Sequence, residues 1–313
     1  MPFISSRRSA RLTPELDDVA LGRLLESLRD PTFRLAERHI ASIRYLLEST
    51  GSDWDLRTHR ISTIVKVSAD TSLASAWIAL EPQDPDALLF HAWSQVVRGL
   101  RTGSRPDAFS VTEECYQASE MSPQDPIPWV ILLALSRLEG CPRQDVFKVW
   151  NQVGARDPWN REAYLQMLGY LSPEESGSRM EVLEFVDSMR ARMPADAPTI
   201  GLELAALVNQ YQSVLKRGGV EALLAREFWT NGSASKALDL ACSTWPKPGF
   251  LRHAAALEDL NILAYALVSS ERSTDAAATF KMLKGRVSTW PWQLLGDPVA
   301  EFERCRNKTL RRA

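Results

Sequence analysis

Pro82-Gln83-Asp84-Pro85 and Pro123-Gln124-Asp125-Pro126 decide how this chain is read. The two tetrapeptides stand 41 positions apart, and a variant, Arg156-Asp157-Pro158, places its proline 32 positions after the second. Proline brings a pre-set φ and lacks the N–H that a first helical residue leaves unbonded, and an aspartate before it caps the helix. Each phrase precedes an apolar segment of helical period: Leu88-Leu89-Phe90, Trp129-Val130-Ile131 and Ala163-Tyr164-Leu165. The phrases therefore close one helix and open the next. Their recurrence reads as repeated helical hairpins.

Outward from these turns the pattern is that of tetratricopeptide repeats. In such hairpins a large and a small residue on one helix face small and aromatic residues on the next, and a proline closes the unit. Pro123 stands six residues before Trp129 and Pro158 six before Tyr164, while Ala118 takes the small position of close crossing. The best single match is C-terminal, with Leu260, Leu263, Ala264 and Leu267 facing Ala276, Phe280 and Leu283. The turn-rich loop Arg101-Thr102-Gly103-Ser104-Arg105-Pro106 absorbs the extra length of the 82–123 unit. The expected fold is all-α, a right-handed superhelical array of antiparallel hairpins.

Helices are expected at 14–28, 31–49, 55–68, 71–80, 85–101, 108–120, 126–138, 143–153, 160–171 and 173–193. Six more follow at 198–217, 219–229, 233–244, 250–269, 273–285 and 297–311, with short loops and no strands. Thr13-Pro14-Glu15 and Ser172-Pro173-Glu174-Glu175 read as capped starts, as do Asp30-Pro31 and Asp157-Pro158. The division expected is a basic tail over 1–13, a repeat array over 14–296, and a closing helix with basic tail over 297–313, capped by Asp297.

Lys and Arg (37) nearly balance Asp and Glu (39), so the charge speaks against a nucleic-acid partner, despite Arg7, Arg8 and Arg11 at one end and Arg304, Arg306, Lys308, Arg311 and Arg312 at the other. The longest apolar run, Trp129 to Leu135, is far shorter than the roughly 20 residues of a membrane span. Ser6-Arg7-Arg8-Ser9 has the arginine pair of an export signal, but Thr13-Pro14-Glu15-Leu16-Asp17-Asp18 follows in place of an apolar stretch. A cytoplasmic protein without a membrane partner is expected. Cys115, Cys141, Cys242 and Cys305 are scattered, which predicts reduced, mostly buried thiols.

Nucleophile-elbow, phosphate-loop and dinucleotide motifs are missing from the sequence, as is any zinc-protease signature. His39, His59, His91 and His253 are scattered, and His91 reads as a packing residue. No cofactor, metal or catalytic residue is predicted. Glu113-Glu114 and Asp17-Asp18 read as solvated faces. Most of the ten tryptophans are assigned to the core. Trp159 has two readings, an exposed interface ring or a staple fixing the entry to a helix. Asp53-Trp54-Asp55-Leu56-Arg57-Thr58-His59-Arg60 also has two: a helix capped by Asp53 with an Asp53–Arg57 surface pair, or an anion-receiving patch.

Four phrases resemble a family of uncharacterised actinobacterial proteins of tetratricopeptide-like fold. They are residues 53–60, Asp125-Pro126-Ile127-Pro128-Trp129-Val130, Phe147 with Trp150, and Asp157-Pro158-Trp159-Asn160-Arg161-Glu162-Ala163-Tyr164. The resemblance spans about residues 50–210 and implies the fold, with no established activity. Those relatives often carry histidines just after the Asn-Arg-Glu triplet. This chain has Tyr164 and Leu165 there, so imidazole chemistry is not carried over. The expected function is a non-catalytic scaffold that takes a peptide or protein partner in the concave groove, through Trp54, Arg57, His59, Arg60, Trp159, Asn160, Arg161 and Glu162. The alternative is a small-ligand or enzymatic site formed by segments 57–60 and 160–162.

Overall fold

Aspartate or asparagine caps six of the helices in the computed structural model, which describes residues 9–30, 36–219, 224–230 and 232–312. Two compact units contain them: residues 18–193, and residues 194–313 together with the segment before residue 18. The array expected over 14–296 spans parts of both. Among the described residues the structure is helical nearly throughout, and no helix is long and apolar enough to cross a membrane.

The unit over 18–193 holds α1 (Val19–Arg29), α2 (Ala36–Glu48), α3 (Trp54–Ser68), α4 (Leu73–Leu80) and α5 (Pro85–Thr102). It continues with α6 (Ala108–Met121), α7 (Ile127–Leu138), α8 (Arg143–Arg156), α9 (Arg161–Tyr170) and α10 (Arg179–Arg190). Odd-numbered helices neighbour one another in order, α1 on α3, α3 on α5, α5 on α7 and α7 on α9, and α3 also meets α9. Burial explains the difference between odd and even. The interior helix α7 covers Ile127, Pro128 and every residue from Val130 to Leu135, whereas α6 buries only the stripe Val111, Cys115 and Ala118. That i, i+4, i+7 spacing is the apolar face of a helix with water on its other side.

The second unit contains α11 (Leu202–Arg217), a 3-10 turn at Leu224–Trp229, α12 (Gly232–Thr244), α13 (Ala256–Ser269), α14 (Ser273–Leu283) and α15 (Pro298–Leu310). The inner faces expected of α13 and α14 are buried as read, and Trp292 packs among Tyr265, Phe280 and Phe302. The Trp292 indole N–H donates to Asn261 Oδ1 at 2.9 Å, so the ring satisfies its one polar group inside the core. A second 3-10 turn, Trp292–Leu294, precedes α15, whose cap is Asp297: the Ala300 N–H donates to its carboxylate at 2.9 Å.

Several expectations are corrected. Residues 14–17 form a turn, and α1 starts at Val19 with Asp18 as cap. The Thr13 hydroxyl instead donates to Val287 O, across 274 residues, beside a short parallel pairing of β1 (Arg11–Leu12) with β2 (Arg286–Val287). The strand-free reading misses this pairing because it is made by distant backbone and not by local alternation. Residues 173–176 are likewise a turn, and Ser178 caps α10 at Glu181 N. Asn160 caps α9 in place of Asp157. Connections over 191–201 and 245–255, which hold Pro194, Pro198, Pro246 and Pro248, are longer than the short hairpin loops expected. The start expected at 31, part of the 219–229 helix, and Arg7 and Arg8 lie outside the described residues. All four thiols are free, with Cys115 and Cys305 buried and Cys141 and Cys242 half-buried.

Candidate functional site

Segments 57–60 and 160–162 meet, because α3 packs against α9. What they build is a polar seam. The α3 positions Thr58, Ser62 and Lys66 recur every four residues, so they share one helical face. Opposite them, Asn160 Nδ2 donates to Thr58 Oγ1 at 3.2 Å, and Ser62 and Lys66 donate to Glu162 Oε2 at 3.4 and 3.3 Å. Gln166, one turn further along α9, donates to Glu162 Oε1 at 2.9 Å and accepts from Arg137 of α7, also at 2.9 Å. Arg137 continues to Glu175. A methyl group on Gly169 would fall within 2.3 Å of the Arg137 guanidinium carbon, so the glycine makes the room in which Arg137 lies.

Asn160 is the hub. Its Oδ1 accepts the Ala163 N–H at 3.0 Å and so caps α9, while Nδ2 also reaches Asp157 Oδ2 at 2.9 Å. Burial pushes Asp157 above the usual carboxylate range, and the hydrogen bonds from Asn160 and Trp159 offset only part of that rise. Glu162 goes the other way: burial alone would raise it, but Lys66, Gln166 and Ser62 together hold it below its ordinary value.

The neighbouring arginines face different partners. Arg57 Nε donates to Asp125 Oδ2 at 3.1 Å and a terminal nitrogen donates to Asp86 Oδ1 at 2.5 Å. The Asp53–Arg57 surface pair is replaced by this interior one, with the Arg57 side chain 12% exposed and that of Asp125 2%. Asp125 keeps its capping duty, accepting the Ile127 N–H at 2.8 Å. Its carboxyl is raised by burial and by the charge of Asp86, which Arg57 and the Ile127 N–H do not cancel. Burial works against the Arg57 charge, yet the two carboxylates raise its pKa and hold it cationic. Arg60 turns toward α1 and α2, donating to Asp18 Oδ2 at 2.7 Å and to Leu46 O and Ser49 Oγ at 2.8 Å. Burial would raise Asp18, but hydrogen bonding and charge from Arg60 bring it below its usual value.

The aspartate of the repeated tetrapeptide thus does the same job twice. Asp84 caps α5 at Asp86 N and receives Arg44 at 2.9 Å, as Asp125 caps α7 and receives Arg57. Arg44 also pairs with Glu81. Asp53 caps α3 as expected, at Leu56 N.

Of the other candidates, Arg161 is buried, and Trp54 and His59 are half-buried. Trp159 resolves as a staple. It precedes the cap Asn160, and its ring stacks on Tyr164, four residues past the cap, at 6.0 Å and 17°. Trp150 and Phe185 complete the cluster around Tyr164. Glu114 and Asp18 are not solvated: Glu114 accepts from Ser110 and pairs with His91, tying α6 to α5. Sequence reasoning missed Ser62, Lys66, Asp86 and Arg137; only the 58, 62, 66 spacing and the repeated aspartate carried a signal.

In the other unit His253 and Asp259 form a buried pair, Nε2 to Oδ2 3.2 Å, and the Asp259 carboxylate lies against Gly201 just before α11. Among the described residues no group of three or more His, Cys, Asp or Glu is placed to hold a metal ion. Comparison with protein-family models, curated proteins and solved structures finds no match for this chain.

Proposed function

We propose that this chain is a non-catalytic scaffold of tetratricopeptide-like hairpins that binds a protein or peptide partner. One observation carries the reading. Large apolar side chains stand in solvent on successive even-numbered helices: Tyr45 of α2 (75% exposed), Leu80 of α4, and Phe109 (73%), Tyr116 and Met121 of α6. Helix α2 packs on α4, and Gln117 of α6 bonds Gln83 in the turn after α4; exposed apolar side chains on these helices gain by being covered. The seam supports the reading from inside. Its charged groups bond to one another, which fixes neighbouring hairpins and leaves recognition to other surfaces of the unit.

Meeting of the 57–60 and 160–162 segments favours the ligand-site reading only in distance. Arg57, Arg60, Asn160 and Glu162 already spend their hydrogen-bonding groups on Asp86, Asp125, Asp18, Thr58 and Lys66. A substrate there would have to displace buried ion pairs, each costly to break.

Affinity capture tests the proposal. The tagged chain is compared with a Leu80→Glu/Tyr116→Glu variant, both washed at high salt. A stoichiometric protein held by the first and lost by the second is the expected result. Recovery of both chains alone contradicts the scaffold reading.

A further inference from the structure

The exposed apolar residues lie along an edge whose electrostatics specify a partner. Arg44 near the end of α2 binds Glu81 and Asp84 in the turn after α4, and Gln117 of α6 donates to Gln83 of that same turn at 3.1 Å. Tyr116 then meets Trp129 edge-on at 5.7 Å, and the Arg156 guanidinium covers the other part of that indole at 4.9 Å. Arg156 Nε also donates to Pro123 O at 2.8 Å. The C-terminal ends of α2, α4 and α6 are thereby linked into one continuous rim, bounded by Arg156 at the end of α8.

A helix ends on carbonyls that carry a partial negative charge, so Lys, Arg or His belongs in its last turn. Helices α1, α3, α5, α7, α8 and α10 follow that rule with Arg29, Lys66, Arg101, Arg137, Arg156 and Arg190. Helices α2, α4, α6 and α9 have no basic residue in the last turn. Glu48 and Glu120 occupy the final turns of α2 and α6, and Glu81 follows α4. Nor do α4 and α6 contain any Lys or Arg along their length. The arginines that reach these ends are already engaged: Arg60 by Asp18 and Leu46 O, Arg44 by Glu81 and Asp84, and Arg156 by Pro123 O and the Trp129 ring. Glu48, Glu113 and Glu120 remain exposed on the same helices as the exposed Tyr45, Tyr116 and Met121.

We infer that the α2–α4–α6 rim docks a basic, amphipathic segment of a partner protein, an inference that rests on the scaffold reading. Lys or Arg side chains of that segment lie against the exposed Glu48, Glu113 and Glu120. Its apolar side chains cover Leu80, Tyr116 and Met121. A nucleic acid or an anionic membrane is repelled by the same carboxylates, so a cationic peptide is the occupant that both features select.

The probe is a labelled 20-residue peptide with Lys and Leu at helical spacing, titrated into the full chain at low and moderate salt by fluorescence anisotropy. A Glu/Leu peptide of the same pattern serves as the counter-probe. Charge reversal at the rim, Glu48→Lys/Glu120→Lys, is compared with reversal of two exposed glutamates elsewhere on the same unit, Glu26→Lys/Glu184→Lys. The expected result is loss of affinity of about tenfold or more for the rim variant and Tyr116→Ala, little change for the control reversal, and no binding of the Glu/Leu peptide. Equal effects of the two reversals, or no binding of the Lys/Leu peptide, overturn the inference. Capture of a stoichiometric partner by the rim variant also overturns it and leaves the scaffold reading standing, so the two fail separately.

Discussion

Replacing Arg57 with methionine leaves two buried carboxylates, Asp86 and Asp125, without the cation that pairs with both. Asp125 is 2% exposed and lies 3.1 Å from Arg57 Nε. At an effective dielectric constant near 20, a unit charge pair at that distance attracts with about 5 kcal/mol before desolvation is counted. The carboxylates keep their burial when the guanidinium goes, so the variant bears their desolvation with no compensation. Removing one partner of such a buried pair costs about 3–5 kcal/mol. In a unit of this size that corresponds to a fall in Tm of roughly 6–20 °C. Urea unfolding followed by circular dichroism measures the loss, and hydrogen exchange localises it to the backbone of α3, α5 and α7. The pH dependence is the sharper test. Asp125 already sits above its ordinary value, and without Arg57 it rises further, so the variant recovers as acid neutralises Asp125. The deficit is largest near pH 7 and shrinks toward about pH 4. Adding Asp125→Asn to the variant restores part of the loss at pH 7. A deficit below about 1 kcal/mol, or one unchanged between those pH values, refutes the reasoning, because it means the cluster is hydrated or differently paired.

Three further outcomes follow from the same geometry. Glu162 is depressed below 4.5, so its stabilisation is fully present above that value and is lost as pH falls through the lower folded one; Glu162→Gln is therefore less stable than the parent at pH 7, and acid titration of unfolding should show the gap closing as the pH falls below that ordinary value. Trp159→Ala removes the staple on Tyr164 and half of a stacked pair, costing about 1–3 kcal/mol in thermal unfolding and fraying the start of α9 in hydrogen exchange. Gly201→Ala puts a methyl group within 2.1 Å of the Asp259 carboxylate, so thermal unfolding of the second unit should drop by several degrees while that of residues 18–193 is unchanged.

Much of the helical order was legible because local chemistry enforces it. Asp53, Asp84 and Asp297 cap the helices their sequence context announces, and the stripe Leu260, Leu263, Ala264 and Leu267 buries as its spacing requires. Thr13-Pro14 and Ser172-Pro173 carry the same local grammar but yield turns. Thr13 is claimed by Val287, far along the chain, and Ser178 offers a second cap just after the Ser172 turn. Arg57 and Arg60 stand one turn apart on α3 yet face different partners. Their partners Asp86, Asp125 and Asp18 lie 29, 68 and 42 residues away, and such distances leave no local trace. The alternative reading names the 57–60 and 160–162 segments, which meet, but not the character of their contact: a polar residue on a helix reads the same whether it faces solvent or another helix. Exposure of Tyr45 and Phe109 was hidden for the matching reason, since an aromatic in a periodic segment reads as core.

The scaffold reading is tested most directly by hydrogen–deuterium exchange of the full chain, alone and in complex with a protein that co-purifies with it. Protection at the ends of α2, α4 and α6, around residues 45–48, 80–83 and 113–121, is the predicted result. Protection confined to residues 54–60 and 159–162 with the rim unchanged contradicts it, because the seam would then have to open to receive the partner.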